Sequence, residues 1–274
     1  MYLRSFDGTR IFYKLSMKQG PTLVFLHGWG LNWTAWKEEI SYFSKEGYST
    51  LAIDLRGHGL SGKPMKAERY HMNWFTHDVK EVVKKHGLKD IILVGHSMGG
   101  MIALNYYALF PKDVAAMALI SSTYKSVLDE GSAKRLNPFL RHLFDYLERR
   151  ERPQPRTRSD VDLSRIRSRS DYRIFLESVR AMPMRSVIAC LEGMTLFNMK
   201  ALLRRIKVPV LVLYGEGDRV RSLEESRFMK RRIPHAEITV IKRAGHNITI
   251  TSPAALNRRM LDFLKRNGCY GQLA

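Results

Sequence analysis

Short apolar runs alternate along this chain with longer amphipathic stretches, the rhythm of a mostly parallel sheet with helices packed on its faces. Leu3–Phe6 and Ile11–Ser16 read as strands joined by an Asp7-Gly8 hairpin turn. Thr22–Leu26, Ser49–Leu55, Ile91–Val94, Val114–Ile120, Val208–Tyr214 and Glu237–Ile241 supply the remaining strands. The unbroken apolar character of Ile91–Val94 is that of a strand buried on both faces. Helices are predicted over Thr34–Lys45 with Gly47 as a stop, over Met72–His86 closed by Gly87, and over Met98–Phe110 ended by Pro111. Leu223–Arg232 and a stretch opened by Pro253 and running to Arg266 complete the helices. The expected fold is α/β: a mostly parallel eight-stranded sheet flanked by helices.

The alternation breaks once. From Tyr124 to Lys207 there are helical stretches and no clear strand. At its centre Arg149, Arg150, Arg152, Arg156 and Arg158 surround Pro153 and Pro155, a composition that resists packing and suggests an exposed connection. Residues 1–123 and 208–274 are therefore expected to form the core. Residues 124–207 are expected to form a helical insertion over the carboxyl edge of the sheet, where open α/β folds bind ligands. Apolar residues of that insertion, among them Leu136, Phe144, Met182, Leu191, Met194 and Phe197, either line a pocket or form the insertion's own core.

Composition narrows the function classes only a little. The chain has 274 residues, 45% of them hydrophobic, enough to bury a sizeable core. No apolar run approaches membrane-spanning length, and Met1–Gly8 lacks the apolar stretch of a secretory signal. The two cysteines, Cys190 and Cys269, have no metal-binding or redox spacing and read as free thiols in a reducing cytoplasm. No cofactor and no metal are expected. The net charge of +20 creates a field that attracts anions without identifying one. Basic residues thicken between Arg149 and Arg185, yet no nucleic-acid motif accompanies them. A solvated basic surface is the preferred reading, with no specific nucleic-acid partner. The sequence does not speak to the oligomeric state.

The sharpest chemical signal is Gly95-His96-Ser97-Met98-Gly99, a G-x-S-x-G pentapeptide between the buried strand and the apolar helix that starts at Met98. That strand–turn–helix context is what a nucleophile elbow requires. Small neighbours let strand and helix approach closely, and the helix N-terminus favours developing negative charge beside the hydroxyl. A serine hydroxyl is a weak nucleophile without a base. His246, in the loop between the last strand and the last helix, is the leading candidate. The base needs a carboxylate to fix its tautomer. Asp218, in Gly215-Glu216-Gly217-Asp218 after the strand Val208–Tyr214, is the candidate, with Glu216 as its rival. Two backbone N–H groups must face the oxyanion. The amide of Met98 is one natural donor, and that of Trp29, set between Gly28 and Gly30, is the other. His27, His58 and His96 sit near turns and read as structural, as does Asp54.

Together, His27-Gly28-Trp29-Gly30, Asp54-Leu55-Arg56-Gly57-His58-Gly59, Gly95-His96-Ser97-Met98-Gly99-Gly100, Gly215-Glu216-Gly217-Asp218 and Gly245-His246 resemble the α/β-hydrolase superfamily, in the style of small carboxylesterases with a helical cap. The resemblance spans nearly the whole chain outside the middle block. It implies a serine hydrolase acting on a small-molecule ester, with Ser97, Asp218 and His246 in the triad roles and Trp29 and Met98 in the oxyanion roles. The same machinery serves thioesters, lactones, carbon–carbon bonds beside a carbonyl and cofactor-free perhydrolysis or haloperoxidation. A receptor that keeps a hydrolase pocket is the non-enzymatic alternative. Epoxide hydrolysis and dehalogenation on this fold use an aspartate where Ser97 stands. Two departures from the family pattern are Asn247-Ile248-Thr249-Ile250-Thr251-Ser252, where an acidic residue a few positions after the histidine is common, and Arg219-Val220-Arg221-Ser222, where a proline is common.

Overall fold

Strands whose side chains are apolar on both faces need cover on both sides, and this chain provides it. A computed structural model describes residues 1–126, 128, 139, 142, 143, 146, 161–165, 170–180 and 182–270. The strands are β1 (Tyr2–Arg4), β2 (Arg10–Ser16), β3 (Thr22–Leu26), β4 (Ser49–Ile53), β5 (Ile91–His96), β6 (Val114–Ile120), β7 (Val210–Gly215) and β8 (Ala236–Ile241). They form one eight-stranded sheet in the order β1-β2-β4-β3-β5-β6-β7-β8. The β1–β2 and β2–β4 pairs are antiparallel, and from β4 onward the pairing is parallel. This is the fold class expected from the sequence.

Alternation along the central strands divides the core. Leu23 and Phe25 of β3 and Ile92 and Val94 of β5 pack with Phe43 of α1 (Lys37–Lys45) and Leu256 and Met260 of α8 (Pro253–Arg266). Val24, Leu26 and Leu93 face the opposite side, with α2 (Met72–Lys85) and α3 (Met98–Leu109). Helix α3 is apolar around its whole circumference, which is why it lies beneath α2 rather than at the surface. After β7 come α6 (Leu223–Arg232) and, following β8, the short α7 (Ile248–Thr251).

Several boundaries move, each for a local reason. The segment expected to be helical from Thr34 starts as a 3₁₀ turn, Trp33–Trp36, because the Asn32 side chain accepts the Thr34 N–H; α1 follows at Lys37. Strand β7 starts at Val210 rather than Val208, since Pro209 has no N–H to give to a ladder. Strand β5 runs two residues further than its apolar core, because Gly95 and His96 still pair with Leu119 and Ile120.

Between β6 and β7 lie α4 (Asp171–Arg180) and α5 (Met184–Thr195). Among the described residues of this insertion the one β-pairing is an isolated bridge, Lys125 to Asn198. The arginine–proline stretch 149–160 lies outside the described residues, as do Leu136 and Phe144. Met182 and Phe197 are buried in the core.

The loop after β4 carries the most demanding buried charge. The Arg56 side chain is 0% exposed. Its Nε and Nη2 donate to Asp78 of α2 at 2.7 and 2.6 Å, and its Nη1 donates to the Arg69 carbonyl at 3.0 Å and to Asp7 of the first hairpin at 3.2 Å. Trp74 and Phe6 cover the guanidinium face at 5.2 and 5.7 Å. One cation thus ties the N-terminal hairpin, the β4 loop and α2 together.

Glu39 of α1 is the opposite case, a fully buried carboxyl whose two oxygens meet no hydrogen-bond partner among the described residues. Burial pushes its pKa well above the usual carboxylate value. The folded protein therefore keeps a proton that the unfolded chain releases above about pH 4.3. The associated stability is present at low pH and is lost, at about 1.4 kcal/mol per pH unit, as pH rises between the unfolded and folded pKa values. Glu39→Gln is expected to be more stable than the parent at pH 8 and to converge with it near pH 4. Urea denaturation at both values tests this; a parent–variant difference independent of pH would refute it.

Candidate active site

Ser97 occupies the single residue between the end of β5 and the start of α3. Its φ is +50°, a left-handed backbone that costs a non-glycine residue about 1–3 kcal/mol. The turn is held by the Ser97 N–H donating to the Ile120 carbonyl at 2.9 Å and by the Ser122 hydroxyl donating to the Ser97 carbonyl at 2.8 Å. Side chains are excluded around it: a Cβ on Gly95 would collide with the backbone of Gly99, and one on Gly99 with the Leu26 carbonyl. The flanking glycines of the pentapeptide are thus required by two backbone approaches.

His246 arrives from the loop after β8, with its Nε2 3.1 Å from Ser97 Oγ and its Nδ1 3.0 Å from Asp218 Oδ2. Asp218 comes from the loop after β7, and its other oxygen accepts the amides of Val220 at 2.8 Å and Arg221 at 2.9 Å. Burial alone would raise its pKa, but the hydrogen bond and charge of His246 and the two amides outweigh it and hold the carboxyl below its ordinary value. An ionised Asp218 can only accept, so Nδ1 carries the ring proton and Nε2 presents its lone pair to the serine hydroxyl.

The residues read as structural are engaged elsewhere. His96 donates from Nε2 to the His246 carbonyl at 2.9 Å; burial, reinforced by the neighbouring His246, pushes its pKa down to about 3, so it stays neutral. His27 accepts the Leu55 N–H at 3.0 Å and stacks edge-on with His58. Asp54 accepts the amides of Trp33 and Leu60, each at 2.7 Å, and so shapes two turns. Glu216, the rival acid, is exposed and accepts the Arg243 amide at 3.1 Å.

One participant has no sequence signal. Asp171, the first residue of α4, reaches across from the insertion to the histidine loop. Its Oδ2 accepts the His246 N–H at 2.7 Å, and its Oδ1 accepts the Asn247 N–H at 3.0 Å and the Asn247 side-chain amide at 2.9 Å. A Cβ on Gly245 would collide with this carboxylate. Asn247 completes the grip on Asp171.

Ser97 opens into a cavity of about 520 Å³ whose wall includes Trp29, Leu31, Leu191, Met194 and His246. Trp29 sits between Gly28, where a Cβ would lie 2.7 Å from His96 Nδ1, and Gly30, whose φ is +82°. Met98 is the first residue of α3, so its N–H has no preceding helical carbonyl to reach. Among the described residues no cluster of three or more His, Cys, Asp or Glu could hold a metal ion. No helix among them is long and apolar enough to cross a membrane.

Strand order, the antiparallel edge and the sharp turn after β5 define the α/β-hydrolase class of fold. The alpha/beta hydrolase fold family model matches residues 21–253, and the chain belongs to that family. It is 27% identical to the bifunctional esterase/perhydrolase DCH of Acinetobacter calcoaceticus, over 96% of this chain and 99% of that one. It is 23% identical to the bifunctional epoxide hydrolase 2 of Sus scrofa over 94% of this chain, which spans 54% of that relative's length. An esterase from Exiguobacterium antarcticum superposes with a TM-score of 0.77 at 20% identity, covering 97% of this chain and 99% of that one.

Proposed function

We propose that the protein is a serine hydrolase that cleaves carboxylic esters of small or medium acyl groups. The observation that carries this reading is the hydrogen-bonded series Ser97 Oγ, His246, Asp218, with links of 3.1 and 3.0 Å. Ser97 Oγ attacks the ester carbonyl while His246 Nε2 takes its proton. The carbonyl oxygen becomes an oxyanion held by the amides of Trp29 and Met98. The tetrahedral intermediate collapses, the C–O bond breaks and His246 returns the proton to the leaving alcohol. Water then attacks the acyl-serine with His246 again as base, releasing the acid and Ser97. Asp218 stays ionised throughout and stabilises the imidazolium. Residues 124–207 act as a cap that sets the shape of the acyl pocket.

The epoxide hydrolase relative suggests a rival, but a hydroxyl at position 97 suits acyl transfer, whereas the epoxide hydrolases this fold resembles use an aspartate there. Perhydrolysis, the second activity in the name of the Acinetobacter relative, uses the same acyl-enzyme with peroxide in place of water. Labelling with a fluorophosphonate probe, followed by mass mapping and an ester series of graded acyl length, tests the reading. Labelling confined to Ser97 is expected, and an unlabelled Ser97 refutes the activated serine.

On this reading Asp171 positions the base from the cap. Asp171→Ala removes three acceptor contacts from the His246 loop and is expected to lower kcat by about tenfold to a hundredfold with a smaller change in KM. Asp171→Asn, which keeps one acceptor oxygen, should recover part of the loss. An Asp171→Ala enzyme with parental kcat would remove Asp171 from the machinery.

A further inference from the structure

Resting on the serine-hydrolase reading, the geometry points to an anion-binding subsite at Arg221 and Arg219, which selects esters or lactones whose acyl chain carries a carboxylate. Both arginines belong to the wall of the cavity that holds Ser97, in company with Leu31, Leu191 and Met194. The apolar part of this wall suits a neutral acyl chain, and among the described residues the one carboxylate in it is that of Asp171. Arg221 is half-buried: its Nε is closed off, with no hydrogen-bond partner among the described residues, so its terminal Nη groups are what a ligand in the cavity can reach. A desolvated guanidinium N–H left unmatched is costly. Buried charges are ordinarily paired, but among the described residues neither Arg219 nor Arg221 forms an ion pair. The nearby carboxylates are already engaged. Asp218 accepts from His246, Val220 and Arg221's own amide. Asp171 accepts three N–H groups of the histidine loop. Glu225, which acts electrostatically on Arg221, lies 3.6 Å from Lys125 Nζ. The acid missing from this arrangement is supplied by the substrate: a carboxylate matches the planar fork formed by the two terminal nitrogens of a guanidinium and can be held by two parallel hydrogen bonds.

The whole molecule carries a net charge of +20, so attraction of anions in general is not diagnostic. A local site is. The decisive quantity is the ratio of kcat/KM for monoethyl adipate to that for ethyl hexanoate, two esters of similar length that differ in a terminal carboxylate, followed by pH-stat titration. Arg221→Met should lower this ratio by about tenfold to a hundredfold, the effect of losing one charge-assisted hydrogen-bonded contact. Arg221→Lys should restore part of it, and Arg219→Met should lower it less, because Arg219 is exposed. Arg4→Met, which removes the same charge from edge strand β1, should leave the ratio unchanged. A parent that hydrolyses ethyl hexanoate while Arg221→Met and Arg219→Met both keep the parental ratio overturns the subsite alone. An equal shift in Arg4→Met also overturns it, since bulk charge then explains the preference. A parent inert on both esters overturns the esterase reading and the subsite with it.

Discussion

Ser97→Ala is expected to lower kcat on a p-nitrophenyl ester by about ten-thousand-fold to a million-fold while leaving KM close to its parental value. The size follows from the division of labour proposed here. Without Oγ no acyl-enzyme forms, and His246 can act only on a water that nothing positions. The amides of Trp29 and Met98 and the cavity wall still bind the ester, so a small residual rate survives. Alanine keeps the Cβ that the Ser97 turn already accommodates at φ +50°, and the backbone bonds to Ile120 and from Ser122 do not involve the hydroxyl. Thermal stability should therefore be nearly unchanged, which separates lost chemistry from lost fold. Activity within tenfold of the parent would mean that another group is the nucleophile.

The largest effect on stability is expected at Arg56. Arg56→Ala leaves Asp78 buried, 1% exposed, with the Ser5 hydroxyl as its one remaining hydrogen-bond partner among the described residues. Removing one member of a buried pair costs about 3–5 kcal/mol, most of it from the uncompensated charge left behind. For a chain of this size that is roughly a 10 °C fall in Tm. The same principle makes a sharper prediction about the double variant. Arg56→Met with Asp78→Leu removes both charges and fills the space with apolar atoms, and it should recover much of the loss. A single variant that costs less than 1 kcal/mol by urea denaturation would show that Asp78 finds another partner or takes up a proton without penalty.

The parts of this molecule that were legible in the sequence are those whose local composition and global role agree. Ile91–Val94 could only be a doubly buried strand, and a glycine-flanked serine between it and an apolar helix could only sit in a sharp turn. The loops bearing Asp218 and His246 were readable because strand polarity sends both to the same edge of the sheet. The insertion was not readable in this way. Its helices show amphipathic spacing, but spacing does not say which neighbour they cover. Asp171 illustrates the limit. Its contact with His246 spans 75 positions of sequence, and an aspartate in a first helical turn is ordinary. The stretch 247–252 was visible as a departure from the family pattern, yet what Asn247 does there depends on Asp171, a partner that only the folded chain supplies. Arg219-Val220-Arg221 was visible in the same sense, as a missing proline, while the burial of the Arg221 Nε was not.

Asp171 also bears on how this enzyme can be altered by recombination. Inserted segments between β6 and β7 invite wholesale exchange as a route to new substrate ranges. On the proposed reading the segment is not an interchangeable lid, because it lines the cavity and through Asp171 also holds the loop that carries His246. A chimaera that receives foreign sequence without a carboxylate at position 171 is expected to lose about tenfold to a hundredfold in turnover together with its old selectivity, and a screen for new substrates would undervalue it. Grafts that retain Asp171 with Gly245 and Asn247, or that replace the three as a unit, avoid that loss.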